Sequence, residues 1–154
     1  MTISIADVIS GDASFGPAAA LFDEYRVHYG ETAQPERTRH WLTAQLSSGR
    51  MAMTVAVRED GRAAGLITRV AQPASLRLGT VCMIRDLFVA PEQRRGGVAR
   101  LLLDHVIAEA RTAGALRVSL QTEPENTAAQ ALYASLGFRH VTGLDLLNLS
   151  LTAG

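Results

Sequence analysis

VAPEQRRGGVARLLL, residues Val89 to Leu103, is the stretch on which the reading of this fold turns. It sets two arginines against two glycines at the point where an apolar strand hands over to an apolar helix. Upstream, TVCMIRDLFVA (80–90) is rich in β-leaning side chains and reads as a strand. Downstream, Val98, Leu101, Leu102, Val106 and Ala110 fall close to one helical face, and Gly114 stops the run. A strand-to-helix loop exposes the unpaired N–H groups of the helix's first turn along a favourable dipole, an arrangement that binds phosphate. Glycine lets the backbone approach an anion, and arginine adds charge and planar hydrogen bonding. Arg94, Arg95, Gly96 and Gly97 therefore read either as a polyphosphate cradle or as a glycine turn with solvent-facing arginines. A Walker loop would need a following lysine and hydroxyl, and a dinucleotide fingerprint a different glycine spacing; both are missing.

The rest of the chain supplies alternating elements. Ile3 and Ile5, with Val8, open a strand by alternation. FGPAAALFDEYRVHYG (15–30) and QPERTRHWLTAQLSSG (34–49) read as helices, each with a proline near its start and a glycine at its end. MAMTVAVREDGRAAGLITRV (51–70) is a hairpin turning at EDG. QPASLRLG (72–79) reads as a loop or irregular edge. ALRVSLQT (115–122) is a further strand, and NTAAQALYASLG (126–137) a helix capped by Asn126 and closed by Gly137. FRHVTG (138–143) and DLLNLSL (145–151) are expected as two short final strands. The expected order is β-α-α-β-β-β-α-β-α-β-β, a single α/β (α+β) domain over residues 1–154 with a mixed sheet.

Bulk properties narrow the function. The 154 residues suffice for one well-formed core, and 47% hydrophobic with 19% charged residues is ordinary for a soluble globular protein. Fifteen basic and fifteen acidic residues leave no net charge, which argues against a general nucleic-acid binder. Cys82, the single cysteine, can form no internal disulfide, and no cysteine pair points to zinc. The start has no signal-peptide pattern and no apolar run approaches the ~20 residues of a membrane span, so the expected setting is cytoplasmic, away from membranes.

The glycine–arginine loop resembles the signature of the GNAT superfamily, the acyl-CoA-dependent N-acyltransferases. Their [RQ]-x-x-G-x-[GA] reads here as Arg94-Arg95-Gly96-Gly97-Val98-Ala99, preceded by a typical DLFVAPEQ. Downstream, ENTAAQALYASLGF (125–138) resembles the family's N-x-x-A-x-x-L-Y-x-x-x-G-F block. The element order follows the same fold, so the resemblance covers essentially the whole chain. YRVHYG and RDLFVAPEQRRGGVARLL look closest to a small group that includes yeast histone- and polyamine-acetylating enzymes.

The resemblance implies a mostly antiparallel central sheet flanked by helices, opened by a V-shaped splay at the acyl-CoA site. It implies acetyl-CoA as donor, with its pyrophosphate on the loop amides from Arg95 to Ala99 and its pantetheine arm beside Phe88 and Val89. Amides of that strand segment would polarise the thioester carbonyl. Tyr133 would be the general acid for the departing thiolate, with Asn126 on the same helical face bordering the cofactor. A phenol near ~10 is a weaker acid than a thiol near ~8.5, so full transfer is uphill by about 2 kcal/mol and Tyr133 mainly hydrogen-bonds the developing charge. Asn126 is equally explained as a helix cap.

An alkylammonium near ~10.4 must also lose a proton, a handicap of roughly 4–5 kcal/mol at neutral pH. Asp86, within the central strand, and Glu123, after the next one, are the candidate bases, with Asp86 preferred; each is also explained as a structural ion-pair partner. The first two helices would wall the acceptor pocket. Tyr25 and Tyr29 are its candidate substrate-binding residues, with His28, Asp23, Glu24 and Glu31 nearby. Trp41 is expected in the core. The remaining histidines show no ligand spacing, so no metal is expected. The expected activity is acetyl transfer to a primary amine in a ternary complex, a small molecule such as a polyamine or amino acid before a protein lysine. The alternative is a non-catalytic acyl-CoA sensor, and a homodimer joined through the last strand is compatible with either.

Overall fold

Short-range sequence features set most of the elements in the computed structural model, which describes residues 2–153. Strand β1 (Ile3–Asp7) leads into α1 (Phe15–His28), whose Phe15, Ala18, Ala19 and Phe22 recur at helical spacing and are buried. Pro35 opens α2 (Pro35–Ser47), where a missing N–H costs nothing. Strands β2 (Ala52–Arg58) and β3 (Ala63–Ala74) meet at Gly61, whose φ of 84° is the left-handed value the turn requires. A short 3-10 turn (Ser75–Arg77) joins β3 to β4 (Gly79–Val89), so the expected irregular edge at 72–79 is a hairpin tip. A second 3-10 turn (Pro91–Gln93) precedes α3 (Val98–Thr112), followed by β5 (Val118–Ser119) and α4 (Thr127–Ser135).

The sheet order is β1-β2-β3-β4-β5, antiparallel through β4 and parallel between β4 and β5. The expected mixed, mostly antiparallel sheet is therefore present. β5 pairs with β4 at Cys82 and Met83 alone. From Ile84 to Val89 that edge of β4 has no strand partner among the described residues, and this is the splay the fold class calls for.

Contacts divide the chain into two units, Met1–Gln121 and Thr122–Gly154. In the first, successive β3 residues face opposite sides. Leu66 joins Met53, Val55 and Phe88 in a core with Phe15, Phe22 and Leu42 of α1 and α2. Gly65 and Ile67 face α3, which buries Val98, Leu102, Leu103, Val106 and Ala110. The helical reading of that segment placed Leu101 inside; it is 44% exposed and Leu103 is fully buried instead. Adjacent positions on one stripe are separated by the packing partner, which the sequence does not display.

The second unit departs further from expectation. Neither 138–143 nor 145–151 is a strand, and the strand expected over 115–122 is reduced to Val118–Ser119. The alternation of Leu147, Leu149 and Leu151 is strand-like, yet a strand exists only when a neighbour takes its backbone groups. These leucines are 86–91% exposed. No helix among the described residues is long and apolar enough to cross a membrane.

One close approach seats α3 on the sheet. A Cβ on Gly65 would lie 2.8 Å from Val98 Cγ1 and 3.2 Å from both Leu102 Cδ1 and the Phe88 carbonyl oxygen. Gly65→Ala is expected to lower stability by about 1–3 kcal/mol through overpacking, read as an earlier urea midpoint at unchanged slope. A midpoint at or above wild type would show that the first turn of α3 has room to move.

Candidate active site

The loop after β4 is shaped by two left-handed residues. Arg94 is extended, Arg95 has φ 70° and Gly97 φ 79°, after which Val98 begins α3. For Arg95 that conformation costs roughly 1–2 kcal/mol, whereas glycine adopts it freely. After the hydrogen-bonded turn at Arg94–Arg95, the backbone N–H groups of Gly97, Val98 and Ala99 find no backbone acceptor among the described residues. These free donors lie at the positive end of a 15-residue helix, beside two exposed arginines. Such a donor set fits an anionic group like a pyrophosphate.

Arg94 also ties the loop to the strand. Its Nε donates to the Val89 carbonyl at 3.2 Å, and its guanidinium lies 5.8 Å from the Phe88 ring centre. Ala90 N–H donates to the Ala64 carbonyl, so alternation turns the Phe88 N–H toward β3 and the Val89 N–H toward the open edge. Of the two strand amides expected beside the acyl group, only that of Val89 is on the open edge.

On the other side of Phe88 four rings close into a loop. Tyr25 meets Tyr29 at 5.4 Å, Tyr29 meets His28 at 5.1 Å, His28 meets Phe88 at 5.5 Å, and Phe88 returns to Tyr25 at 5.4 Å. Asp86, two residues before Phe88, lies on the same sheet face. Tyr25 Oη donates to Asp86 Oδ1 at 2.7 Å, and Thr68 Oγ1 donates to Asp86 Oδ2. Burial, then the hydrogen bond to Asp86 and that carboxylate's charge, push the Tyr25 phenol far above its ordinary range, with Arg85 opposing weakly. Thr68 escaped the sequence reading because only the β3–β4 register, in which Thr68 faces Asp86, brings the two together.

The acids near Tyr25 separate. Asp23 turns inward, accepting from Thr38 Oγ1 at 2.6 Å, the Gln34 N–H at 3.1 Å and Arg26 at 2.8 Å. Its expected place in the acceptor wall is a correction: it braces α1 against α2. Burial alone would raise its pKa, but these partners outweigh it and hold the carboxyl below its ordinary value. Glu24 lines a separate cleft of about 310 Å³ with Pro17, Arg62 and Glu92. Trp41, expected in the core, is 47% exposed and stacks on Phe22.

Under α3, His105, which shows no ligand spacing in the sequence, joins a polar cluster. His105 Nε2 lies 3.1 Å from Asp7 Oδ1, and Glu109 is one helical turn along. Arg69 bonds Glu109, reaches Asp7 at 3.7 Å and donates to Thr54 Oγ1 at 2.9 Å. The guanidinium already answers both carboxylates. Cys82 is a free thiol whose pKa burial raises, the opposite of an activated nucleophile.

The second unit holds the other named residues. Asn126 Oδ1 accepts from the Ala129 N–H at 3.3 Å, capping α4. The Glu123 carbonyl accepts from Asn126 N–H and from Gln130 Nε2, each at 3.1 Å. Tyr133 meets Phe138 edge-on at 5.8 Å. The structure thus gathers Tyr25, Tyr29, Asp86, Phe88, Val89 and Arg94 in the first unit, and Glu123, Asn126 and Tyr133 in the second.

Residues 18–138 match the model of the acetyltransferase (GNAT) family. The chain belongs to that family. It is an acyltransferase, and GNAT acetyltransferases take their acetyl group from acetyl-CoA. It is similar to the uncharacterized N-acetyltransferase YhfO of Bacillus subtilis, with 30% identity over 81% of this chain and 83% of the relative. A 57-residue stretch is 42% identical to the ribosomal protein bS18-alanine N-acetyltransferase of Salmonella typhimurium, covering 37% of this chain and 38% of that one. Among solved structures, a probable acetyltransferase superposes with a TM-score of 0.86 over all of both chains at 30% identity.

The Asp23 brace has a pH signature. A carboxyl held below its unfolded value stabilises fully above that value and loses its contribution as pH falls through the folded pKa. Wild type should therefore lose stability below about pH 4, and Asp23→Asn should be less stable at pH 7 with a shallower loss on acidification. Thermal melts from pH 2 to 7 test this; parallel curves for the two proteins would remove Asp23 from the account.

Proposed function

We propose that the chain, acting as one GNAT domain over residues 1–154, passes an acetyl group from acetyl-CoA directly to a primary amine. The observation that carries this reading is Phe88, which touches Arg94 of the anion loop on one side and the Tyr25–Tyr29–His28 rings on the other. A donor-holding loop and a carboxylate-backed aromatic wall therefore meet at one strand end. Acetyl-CoA supplies the acetyl group as a reactive thioester. The amides of Arg95 to Ala99 hold its pyrophosphate, helped by the charge of Arg94 and Arg95. Phe88 and Val89 flank the pantetheine arm, and the Val89 N–H polarises the acyl oxygen. Asp86, in preference to Glu123, takes the proton that the amine must lose. Tyr133 donates a hydrogen bond to the departing sulfur, with Asn126 on the cofactor-facing side of its helix.

Tyr25 and Tyr29 wall the acceptor. The ring faces of Tyr29, 59% exposed, and His28 suit a cationic amine with an apolar body. A small molecule such as a polyamine or amino acid is the favoured acceptor, as the subgroup likeness to histone- and polyamine-acetylating enzymes implies, with a protein lysine second. The partial likeness to the ribosomal-protein-alanine enzyme adds a peptide α-amine to the acceptors worth testing. The enzyme is cytoplasmic, requires no metal, and forms a homodimer in which the alternating leucines at 147–151 find a partner strand.

Calorimetry with CoA is expected to give saturable binding. The pair Arg94→Ala and Gly97→Glu removes a cation, adds an anion and forces a side chain into a left-handed position, so affinity should fall at least about tenfold. Undiminished affinity in that variant would move the pyrophosphate elsewhere.

Thiol release from acetyl-CoA should be followed across polyamines, amino acids, aminoglycosides, lysine peptides and a peptide starting with alanine. Turnover with a small amine is expected. Activity confined to peptides would reverse the acceptor preference, and binding without turnover would favour the sensor alternative.

A further inference from the structure

We propose that Tyr25 is a proton relay between the acceptor amine and Asp86, with Thr68 as the residue that positions the carboxylate. The inference rests on the acetyl-transfer reading and changes the role of Tyr25 within it, from a wall to a participant.

The geometry separates the two hydroxyls on Asp86. Each carboxylate oxygen accepts one of them, Oδ1 from Tyr25 and Oδ2 from Thr68. Thr68 is fully buried in β3 and cannot meet a substrate. Tyr25 is only half-buried, and its neighbour Tyr29 reaches solvent. The Tyr25 oxygen spends its single hydrogen on Asp86, and no donor occupies its lone pairs among the described residues. An amine lying against the Tyr29 and His28 rings finds there an acceptor already coupled to a carboxylate.

The step balances without any added reagent. An amine N–H bond breaks and its proton joins Tyr25 Oη as the Tyr25 O–H proton moves to Asp86 Oδ1. The electron pair stays on nitrogen and forms the new C–N bond as the acyl C–S bond breaks and CoA leaves as its thiolate; Asp86 then gives its proton to water, and the thiolate takes one from water. Tyr25 is neutral before and after. Its phenol is held strongly against ionisation by burial and by the facing carboxylate, so it passes a proton without storing negative charge. The groups around it are Asp86 and Arg85 from β4, and Tyr29 and His28 from α1.

The test compares wild type with Tyr25→Phe, Thr68→Val, Thr68→Ser and Asp86→Asn, using whichever amine the wild type acetylates fastest. Tyr25→Phe keeps the ring that packs on Phe22 and Phe88, and melting curves verify folding. The relay predicts a fall in kcat of at least about tenfold with KM within about twofold, a larger fall in Asp86→Asn, and a smaller one in Thr68→Val that Thr68→Ser restores. In mixtures of light and heavy water, wild-type kcat should bow downward, as two moving protons require, and Tyr25→Phe should give a straight line. Unchanged kcat with a raised KM in Tyr25→Phe, or a straight wild-type line, overturns the relay while acetyl transfer stands. A wild type that releases thiol with no amine at all overturns the transfer reading and the relay together.

Discussion

The antiparallel register of β3 against β4 is the constraint on which the rest of the first unit depends. It sets Thr68 opposite Asp86 and Leu66 opposite Phe88, and it ends with Gly65 opposite Val89, where the loop to α3 begins. The register slips by one residue between Thr68 and Arg69. Because side chains alternate, that slip decides which face of β4 each residue serves on either side of it. Without it, a continuous alternation from Val81 would turn Asp86 and Phe88 to the α3 face, away from α1. The bulge lies directly beside Asp86, at the place where a strand must present a carboxylate to a helix.

Gly65 extends the same constraint to the helix. With no Cβ there, Val98 and Leu102 settle against β3, and the first turn of α3 is held where its free N–H groups adjoin the end of β4. The loop then needs two left-handed residues to cover the short distance, one of them an arginine. Charge, open amides and close backbone approach are thus consequences of one packing decision. Arg94 closes the arrangement by donating to Val89 and lying against Phe88.

What the sequence disclosed divides by the range of the interaction. The loop, the helices and their caps were legible because each depends on residues within a turn or two: Pro35, Gly97 and Asn126 act locally. The fold class followed from the order of those elements. The Thr68–Asp86–Tyr25 contact was not legible, since it joins two strands and a helix whose register no local pattern states. Asp23 misled for a similar reason: an acid on a helix facing a proposed pocket looks the same whether it points out or is bound inward by Thr38 and Gln34. Leu147, Leu149 and Leu151 carry the alternation of a strand, but hydrogen-bonding partners make a strand and the alternation alone does not.

The two faces of the sheet treat their acids differently, and the contrast bears on what Asp86 is for. Beneath α3, Glu109 and Asp7 are answered by Arg69, a full positive charge with hydrogen bonds to spare. Such a cluster is a structural solution: one guanidinium is shared between two carboxylates and fixes both in place. Asp86 receives two hydroxyls and, among the described residues, no ion pair. Hydroxyls orient a carboxylate and offset part of its desolvation without cancelling its charge. A strand that needed only stability would be better served by a valine at this position, or by an arginine partner like the one on the opposite face. Retaining an oriented, uncancelled carboxylate in a central strand makes sense where a proton has to be received.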